Sequence, residues 1–320
     1  MRKDRALTAQ EVADILKIAK NTVYELAKRG EIKSYKVGRS LRFSPEDVEK
    51  YTSGGIQSGG PVQTSEKSKS KESFRDSFQF SPASYGEGFV ICGQDLILDV
   101  LSNYIENHRS GVPTLRAHIG SYSSLTSLYY GKVQVASSHL WDGDSDTYNI
   151  PFVRRLVPGI PAVIIHLTKR TQGFYVQKGN PKNILEWEDL ARKDIRIVNR
   201  EKGAGSRVLL DENIRKLGIP GSSINGYYRE NQSHVTVASS VARGEADVAV
   251  GDMKTSAQFN NLDFIPLKKE RYELVVKKED FHTAPIQAMI EILNSEEFQS
   301  EFRNIEGYDI SEMGSIVAET

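Results

Sequence analysis

The run from Asp194 to Ile214, DIRIVNREKGAGSRVLLDENI, gathers residue types suited to holding an anion. Ile195, Ile197 and Val198 read as a short apolar strand, Gly203 and Gly205 as a turn, and Ser206 to Ile214 as a helix with apolar residues at helical spacing. A glycine turn lets the backbone approach a ligand. The helix after it directs unpaired N–H groups and the positive end of its dipole at the same point. Ser206 adds a hydroxyl and Arg207 a permanent charge. A P-loop needs Lys and then Ser or Thr after its last glycine, and the order here is Gly205-Ser206-Arg207. A dinucleotide fingerprint needs a third glycine where Val208 stands. Taken alone, the loop reads equally well as a strand-to-helix turn with no ligand.

Polar residues recur at the ends of other apolar runs. Gln94 and Asp95 follow FVIC and open the helical pattern LILDVLSNYIENH; Ser121 to Ser124 follow the strand pattern Leu115 to Ile119. Ser137, Ser138 and His139 end a strand pattern from Val133, and Gly251-Asp252 end Ala246 to Val250. Strand ends are where open α/β sheets bind ligands. The candidate ligand set is therefore Gln94, Asp95, Ser121, Ser123, Ser137, Ser138, His139, Gly203, Ala204, Gly205, Ser206, Arg207 and Asp252. It consists mainly of donors, so hydroxyls, backbone N–H groups and helix dipoles would hold an oxyanion, with Asp95 and Asp252 capping helices or pinning neighbouring donors.

Other chemistries find less support. The six histidines never fall at metal-ligand spacing and Cys92 is the one cysteine, so neither a metal site nor an internal disulfide is expected. No Gly-x-Ser-x-Gly elbow and no carboxylate pair stands out by spacing, which leaves no catalytic residues to name and no cofactor to expect.

The elements that must position these residues follow from size and pattern. A chain of 320 residues has room for two domains, and 38% hydrophobic content supports globular cores. Lys+Arg and Asp+Glu are both 42, which argues against a uniformly basic coat but leaves room for a local basic region. No apolar run approaches the roughly 20 residues of a membrane span, and the charged start MRKDRALTAQEVADILK has no signal-peptide core, so a cytoplasmic protein without membrane contact is expected.

At the N-terminus, Thr8-Ala9-Gln10-Glu11 is a capping box for a helix to about Ile18, and a second helix starts near Lys20 and stops at Gly30. IKSYKVGRSLRF then reads as a hairpin, with Ser44-Pro45 opening one more short helix. Residues 1–50 hold 12 Lys or Arg against 8 Asp or Glu. The run from Leu7 to Tyr51 resembles the small excisionase or MerR-like winged helix-turn-helix family. That resemblance implies double-stranded DNA as a partner, with Lys20, Asn21, Thr22 and Tyr24 facing bases or phosphates and Arg39 and Arg42 on the wing. A helical interaction module that never touches DNA is the alternative.

Residues 52–86 turn to Ser, Gly and Lys and read as a flexible linker. From Gly88 the pattern is α/β. SLTSLYYGKVQVASSHLWD, the stretch from Gly173 to Ile214, INGYYRENQSHVTVASSVARGEADVAVG and LDFIPLKKERYELVV resemble the type 2 periplasmic-binding-protein fold in its regulator-fused form, related to molybdate- and tungstate-binding proteins. Relatives commonly carry a Gly-Ser-Gly-Thr-Arg type loop where this chain has Gly203-Ala204-Gly205-Ser206-Arg207. The expected fold is an N-terminal winged helix-turn-helix, mainly α, over 1–51, a linker over 52–86, and a two-lobed α/β periplasmic-binding-protein-like domain over 87–320.

The function this implies is a one-component, dimeric transcriptional regulator whose C-terminal domain senses a small anion such as molybdate or tungstate. The alternatives are a DNA-binding module whose α/β part only oligomerises, a cytosolic enzyme or molybdenum-cofactor-related binding protein, and a small-metabolite sensor.

Overall fold

A computed structural model describes residues 6–28, 32–37, 40–45, 47–48, 51 and 88–320. Contacts divide the chain into two units, Met1–Arg75 and Asp76–Thr320. The linker expectation for 52–86 lies outside the described residues.

In the first unit, β1 (Leu7–Thr8) leads into α1 (Ala9–Leu16) and α2 (Lys20–Lys28), followed by β2 (Ser34–Val37) and β3 (Ser40–Phe43). The capping box forms as the sequence predicts: Glu11 N donates to Thr8 Oγ1 at 3.2 Å, and Thr8 N to Glu11 Oε2 at 2.8 Å. Val12 and Ala13 of α1 pack with Val23 and Leu26 of α2 and with Ile32, Phe43 and Val48. β3 pairs antiparallel with both β1 and β2, giving a small three-stranded sheet beside the helix pair.

The second unit starts with β4 (Phe89–Cys92), α3 (Leu96–Asn107), β5 (Thr114–Ala117), α4 (Ser121–Tyr129), β6 (Ala136–Ser138), β7 (Trp141–Asp142), β8 (Thr147–Tyr148) and α5 (Ile150–Leu156). After β9 (Ala162–Gln177) come β10 (Asn199–Arg200), α6 (Gly205–Lys216), β11 (Glu230–Asn231), α7 (His234–Ala242), β12 (Val248–Asp252) and α8 (Met253–Ser256). β13 (Leu262–Lys277), α9 (Ala284–Leu293), α10 (Glu296–Phe302), β14 (Tyr308–Asp309) and β15 (Ile316–Glu319) complete it.

Two strands of 16 residues, β9 and β13, organise this unit. They pair antiparallel from Leu262↔Gln177 to Lys277↔Ala162. One end of the ribbon, through Val163, Ile165, Leu274 and Val276, joins the core of a first lobe with Phe89, Leu101, Met289 and Phe298. The other end, through Phe174 and Val176, joins a second core with Ile195, Ile197, Leu209 and Val248. Between the cores, β9 reads Thr168-Lys169-Arg170-Thr171-Gln172 and β13 reads Lys268-Lys269-Glu270-Arg271. The chain is apolar where it builds a lobe and charged where it crosses between lobes.

Some local boundaries differ from the sequence reading. Ser121 to Ser124 form the first turn of α4 rather than a turn before it. Ile197 makes only an isolated bridge to Val248, and the strand pairing after it falls on Asn199 and Arg200.

Candidate functional site

A cavity of about 550 Å³ opens between the two lobes, over the charged middle of the β9–β13 ribbon. Among the described residues, five helices begin at its wall: α3, α4, α6, α7 and α8. Three carry side-chain caps. Asp95 accepts from Ile97 N at 3.0 Å, Ser233 from Thr236 N at 3.1 Å, and Asp252 from Thr255 N at 2.9 Å. The other two do not: α4 starts after Gly120 and α6 after Ala204, neither with a side-chain cap. Their first N–H groups have no carbonyl within their own helix.

These two open helix starts belong to different lobes and meet. Tyr122 N donates to Gly203 O at 3.1 Å, and Arg200 Nη2 donates to Gln94 Oε1 at 2.6 Å, so the lobes are closed on each other. Gly203 holds φ +87°, and a Cβ there would lie 3.0 Å from Tyr122 Cβ. At Gly205 a Cβ would come within 2.3 Å of the His139 ring. The glycines of this turn are thus fixed by backbone conformation and by the approach of the opposite lobe.

The cavity floor is a compact charge cluster. Arg170 Nη1 donates to Asp95 Oδ2 at 2.5 Å and Nε to Glu270 Oε1 at 2.6 Å, while its guanidinium carbon sits 4.1 Å from the Tyr272 ring centroid. Glu270 Oε2 is 2.7 Å from His139 Nδ1. Lys254 Nζ lies 3.3 Å from both Asp95 oxygens, and Tyr308 OH donates to Asp95. Burial opposes both carboxyl charges, but the Arg170 and Lys254 cations and the Tyr308 hydroxyl hold Asp95 well below the usual range. Arg170 and His139 likewise bring Glu270 down to about 2. Burial, reinforced by the Arg200 charge, pushes His234 down to about 3, so its imidazole is neutral.

Of the ligand set read from sequence, Gln94, Asp95, Ser121, Ser123, Ser137, His139, Ala204, Gly205 and Asp252 line this cavity. Ser138 does not. It is fully buried, and successive strand residues face opposite sides of a sheet, so only one of the adjacent serines can reach the cavity. Ser137 Oγ sits 2.8 Å from Tyr272 OH on the cavity side. Ser206 and Arg207 are also buried away from the lining. Arg207 is committed to Asp211 at 2.9 Å, to Glu230 at 2.8 Å and to the Arg200 carbonyl, and stacks on Tyr227. Gly203 touches the opposite lobe rather than the cavity.

The sequence reading did not select Arg170, Arg200, Lys254 or Tyr272, all of which line the cavity. Arg170 and Tyr272 lie within the crossing strands, and Lys254 follows the Asp252 cap, so no glycine turn marks them. Cys92 is buried, and that burial pushes its thiol up to about 12, leaving it inert as a nucleophile. Among the described residues no His, Cys, Asp and Glu group could hold a metal ion, and no helix is long and apolar enough to cross a membrane.

In the first unit, Lys20, Asn21 and Thr22 of α2 are exposed, as is Tyr24, opposite the buried Val23 and Leu26. Arg42 is half-buried on β3, opposite Tyr35; Arg39 lies outside the described residues.

The fold and cavity define a two-lobed binding domain, and a helix-turn-helix unit precedes it on the same chain. Residues 102–294 match the family described as the PBP superfamily domain, to which the chain belongs, and residues 6–55 match a helix-turn-helix domain. Both are domains of binding type. The chain is 39% identical over 320 residues to the uncharacterized protein YvgK of Bacillus subtilis (strain 168), covering 100% of both. It is 54% identical over 112 residues to an uncharacterized protein in the ferredoxin 2Fe-2S gene 5′ region of Clostridium pasteurianum, covering 35% of this chain and 99% of that one. A putative phosphate ABC transporter substrate-binding protein with bound phosphate from Clostridium perfringens is similar in structure at 13% identity and a TM-score of 0.49, covering 69% of this chain and 99% of that one.

Proposed function

We propose that the protein is a one-component, cytoplasmic transcriptional regulator. In this reading the cavity binds a small oxyanion of molybdate or tungstate type, and lobe closure alters how the helix-turn-helix units of a dimer engage double-stranded DNA. The observation that carries the ligand class is the pair of uncapped helix starts, α4 and α6, meeting at one cavity from opposite lobes. Such termini favour negative charge, and the α4 start is joined by the neutral donors Ser121 and Ser123. Closure would be coupled to binding because the anion contacts both lobes at once. Dimerisation is expected because a single small DNA-binding module buries only about 600–1,000 Å² on DNA.

The test uses the full chain. Molybdate, tungstate, sulfate and phosphate are screened by thermal shift and calorimetry, and duplex binding is followed with and without each anion. Arg42→Ala should reduce the salt dependence of DNA binding by about one slope unit if that side chain meets a phosphate. Absence of any oxyanion-induced stabilisation would sink the ligand reading, and absence of duplex binding the regulator reading.

A second reading, a sensor of a small zwitterionic metabolite, is favoured by the cavity volume of about 550 Å³, which exceeds what a tetrahedral oxyanion fills. It predicts stabilisation by amino acids rather than by inorganic anions.

A further inference from the structure

The carboxylates lining the cavity already accept from donors of the protein itself. Asp99, which accepts from Arg116 Nε at 2.9 Å through one oxygen, is the most exposed of them, and pairing there with a ligand ammonium is worth at most about fivefold in affinity, or about 1 kcal/mol. Asp95 Oδ1 accepts from Ile97 N and from Tyr308 OH, and Oδ2 from Arg170, with Lys254 3.3 Å from both oxygens. Glu201 accepts from Arg200 Nη2 at 2.9 Å on one oxygen and from Nε at 2.8 Å on the other. Asp252 accepts from Thr255 N at 2.9 Å and from Thr255 Oγ1 at 3.0 Å. A ligand ammonium entering the cavity would lose water and need a carboxylate oxygen free to receive it.

Tyr308 reaches this cluster from β14, in the C-terminal segment. The turn before it is close to α8, since a Cβ on Gly307 would lie 3.6 Å from Lys254 N. The Lys254 ammonium donates to Tyr308 OH at 2.6 Å and lies 4.9 Å from the ring centroid, and that hydroxyl in turn donates to Asp95. One phenol therefore ties a second-lobe cation to a first-lobe carboxylate.

We infer that Tyr308 is a specificity-determining positioning residue: by closing Asp95 and holding Lys254 to it, it makes the cavity accept anions that carry no cationic group and reject zwitterions such as amino acids. This rests on the anion reading proposed above. Two consequences differ in sign. Tyr308→Phe keeps the ring, which packs 6.0 Å from Phe302 between centroids, but opens an acceptor position on Asp95. Asp95→Asn keeps a competent N-cap for α3 while leaving Arg170 and Lys254 less compensated.

The experiment is calorimetry on the full chain with molybdate and L-alanine as probes, at two salt concentrations. Wild type should bind molybdate far more tightly than alanine, whose weak affinity is read by competition against bound molybdate. Tyr308→Phe should lower the molybdate-to-alanine affinity ratio by about tenfold, the scale of one charge-assisted hydrogen bond. Asp95→Asn should tighten molybdate binding with a steeper salt dependence, which a purely structural lesion would not produce. If wild type binds neither molybdate nor any other inorganic oxyanion, the anion reading itself has failed. If wild type binds molybdate but also binds alanine comparably, or if Tyr308→Phe leaves the ratio unchanged, the inference is overturned while the anion reading stands. Should Asp95→Asn not fold, the Tyr308→Phe ratio decides alone.

Discussion

The floor and the upper walls of the cavity solve opposite problems. At the floor, Arg170, Asp95 and Glu270 are charged, buried and bonded to one another, with the half-buried Lys254 against Asp95. On the walls, the starts of α4 and α6 carry no side-chain cap and are joined across the lobes by the backbone hydrogen bond from Tyr122 N to Gly203 O. The difference separates shape from affinity. A self-neutralised floor fixes where the crossing strands run without dictating the charge of a ligand, whereas open N–H groups leave hydrogen bonds to be completed from outside.

The largest effect is expected at the floor. Arg170→Leu would leave Asp95 and Glu270 buried without their shared cation, at a cost of roughly 3–5 kcal/mol in unfolding free energy by denaturant titration. A loss under about 1 kcal/mol, the range of an exposed pair, would mean the cluster is not the closed unit described.

Next is Gly205→Ala on the wall. The added Cβ would run into the His139 ring, which is held by Glu270, so the lobes would have to part. Overpacking of this kind costs about 1–3 kcal/mol. The distinguishing readout is ligand-induced stabilisation, which should disappear while the unliganded fold persists. Retained stabilisation would show that binding does not need the closed approach of α4 and α6.

How much of this could be read from the sequence follows the same division. The capping box Thr8/Glu11, the glycine turn before α6 and the Asp95 cap were legible because each is a local pattern of residue types at fixed spacing. β9 was not. Its sequence, AVIIHLTKRTQGFYVQ, has no single period, because it is buried in one lobe, charged in the crossing and buried again in the other. Arg170 and Glu270 face each other only through the register of two strands 100 residues apart, which no local pattern encodes. Arg207 shows the converse. Its place after the glycine turn marked it as a ligand group, yet its guanidinium turns back onto Asp211, Glu230 and Tyr227. At a helix start the backbone N–H groups point along the axis and the side chains do not, so position in the motif does not settle what a side chain touches.

A smaller effect concerns pH. His234 lies low in the folded protein, at about 3 against 6.5 for an unperturbed histidine, so the unfolded chain binds the extra proton first. Its contribution to stability is complete above about pH 6.5 and is lost as pH falls toward 3; Glu270, at about 2 against 4.5, joins only below about 4.5. Between pH 6.5 and 4.5, unfolding free energy should therefore fall with acidification by up to about one proton's slope. His234→Gln should flatten that limb and leave the steeper loss below it. An unchanged limb would mean that His234 is solvated in the folded state.

The smallest effect, and the finest test of the comparison, comes from two serines at equivalent helix starts. Ser123 is in the first turn of α4 and lines the cavity; Ser206 is in the first turn of α6, where its hydroxyl is buried without a hydrogen-bond partner. Removing a hydroxyl that donates to a bound anion costs about 1.5–3 kcal/mol when the acceptor is charged, so Ser123→Ala should weaken oxyanion affinity by roughly ten- to a hundredfold with the unliganded melting temperature nearly unchanged. Ser206→Ala removes a hydroxyl that makes no bond, so affinity should stay within about twofold and stability should hold or rise slightly. If Ser206→Ala weakens binding as much as Ser123→Ala, the α6 hydroxyl turns toward the ligand on binding and the wall contributes side chains from both lobes. If neither matters, the anion is held by backbone N–H groups and the helix termini alone, and the wall differs from the floor even more sharply than the geometry of its side chains implies.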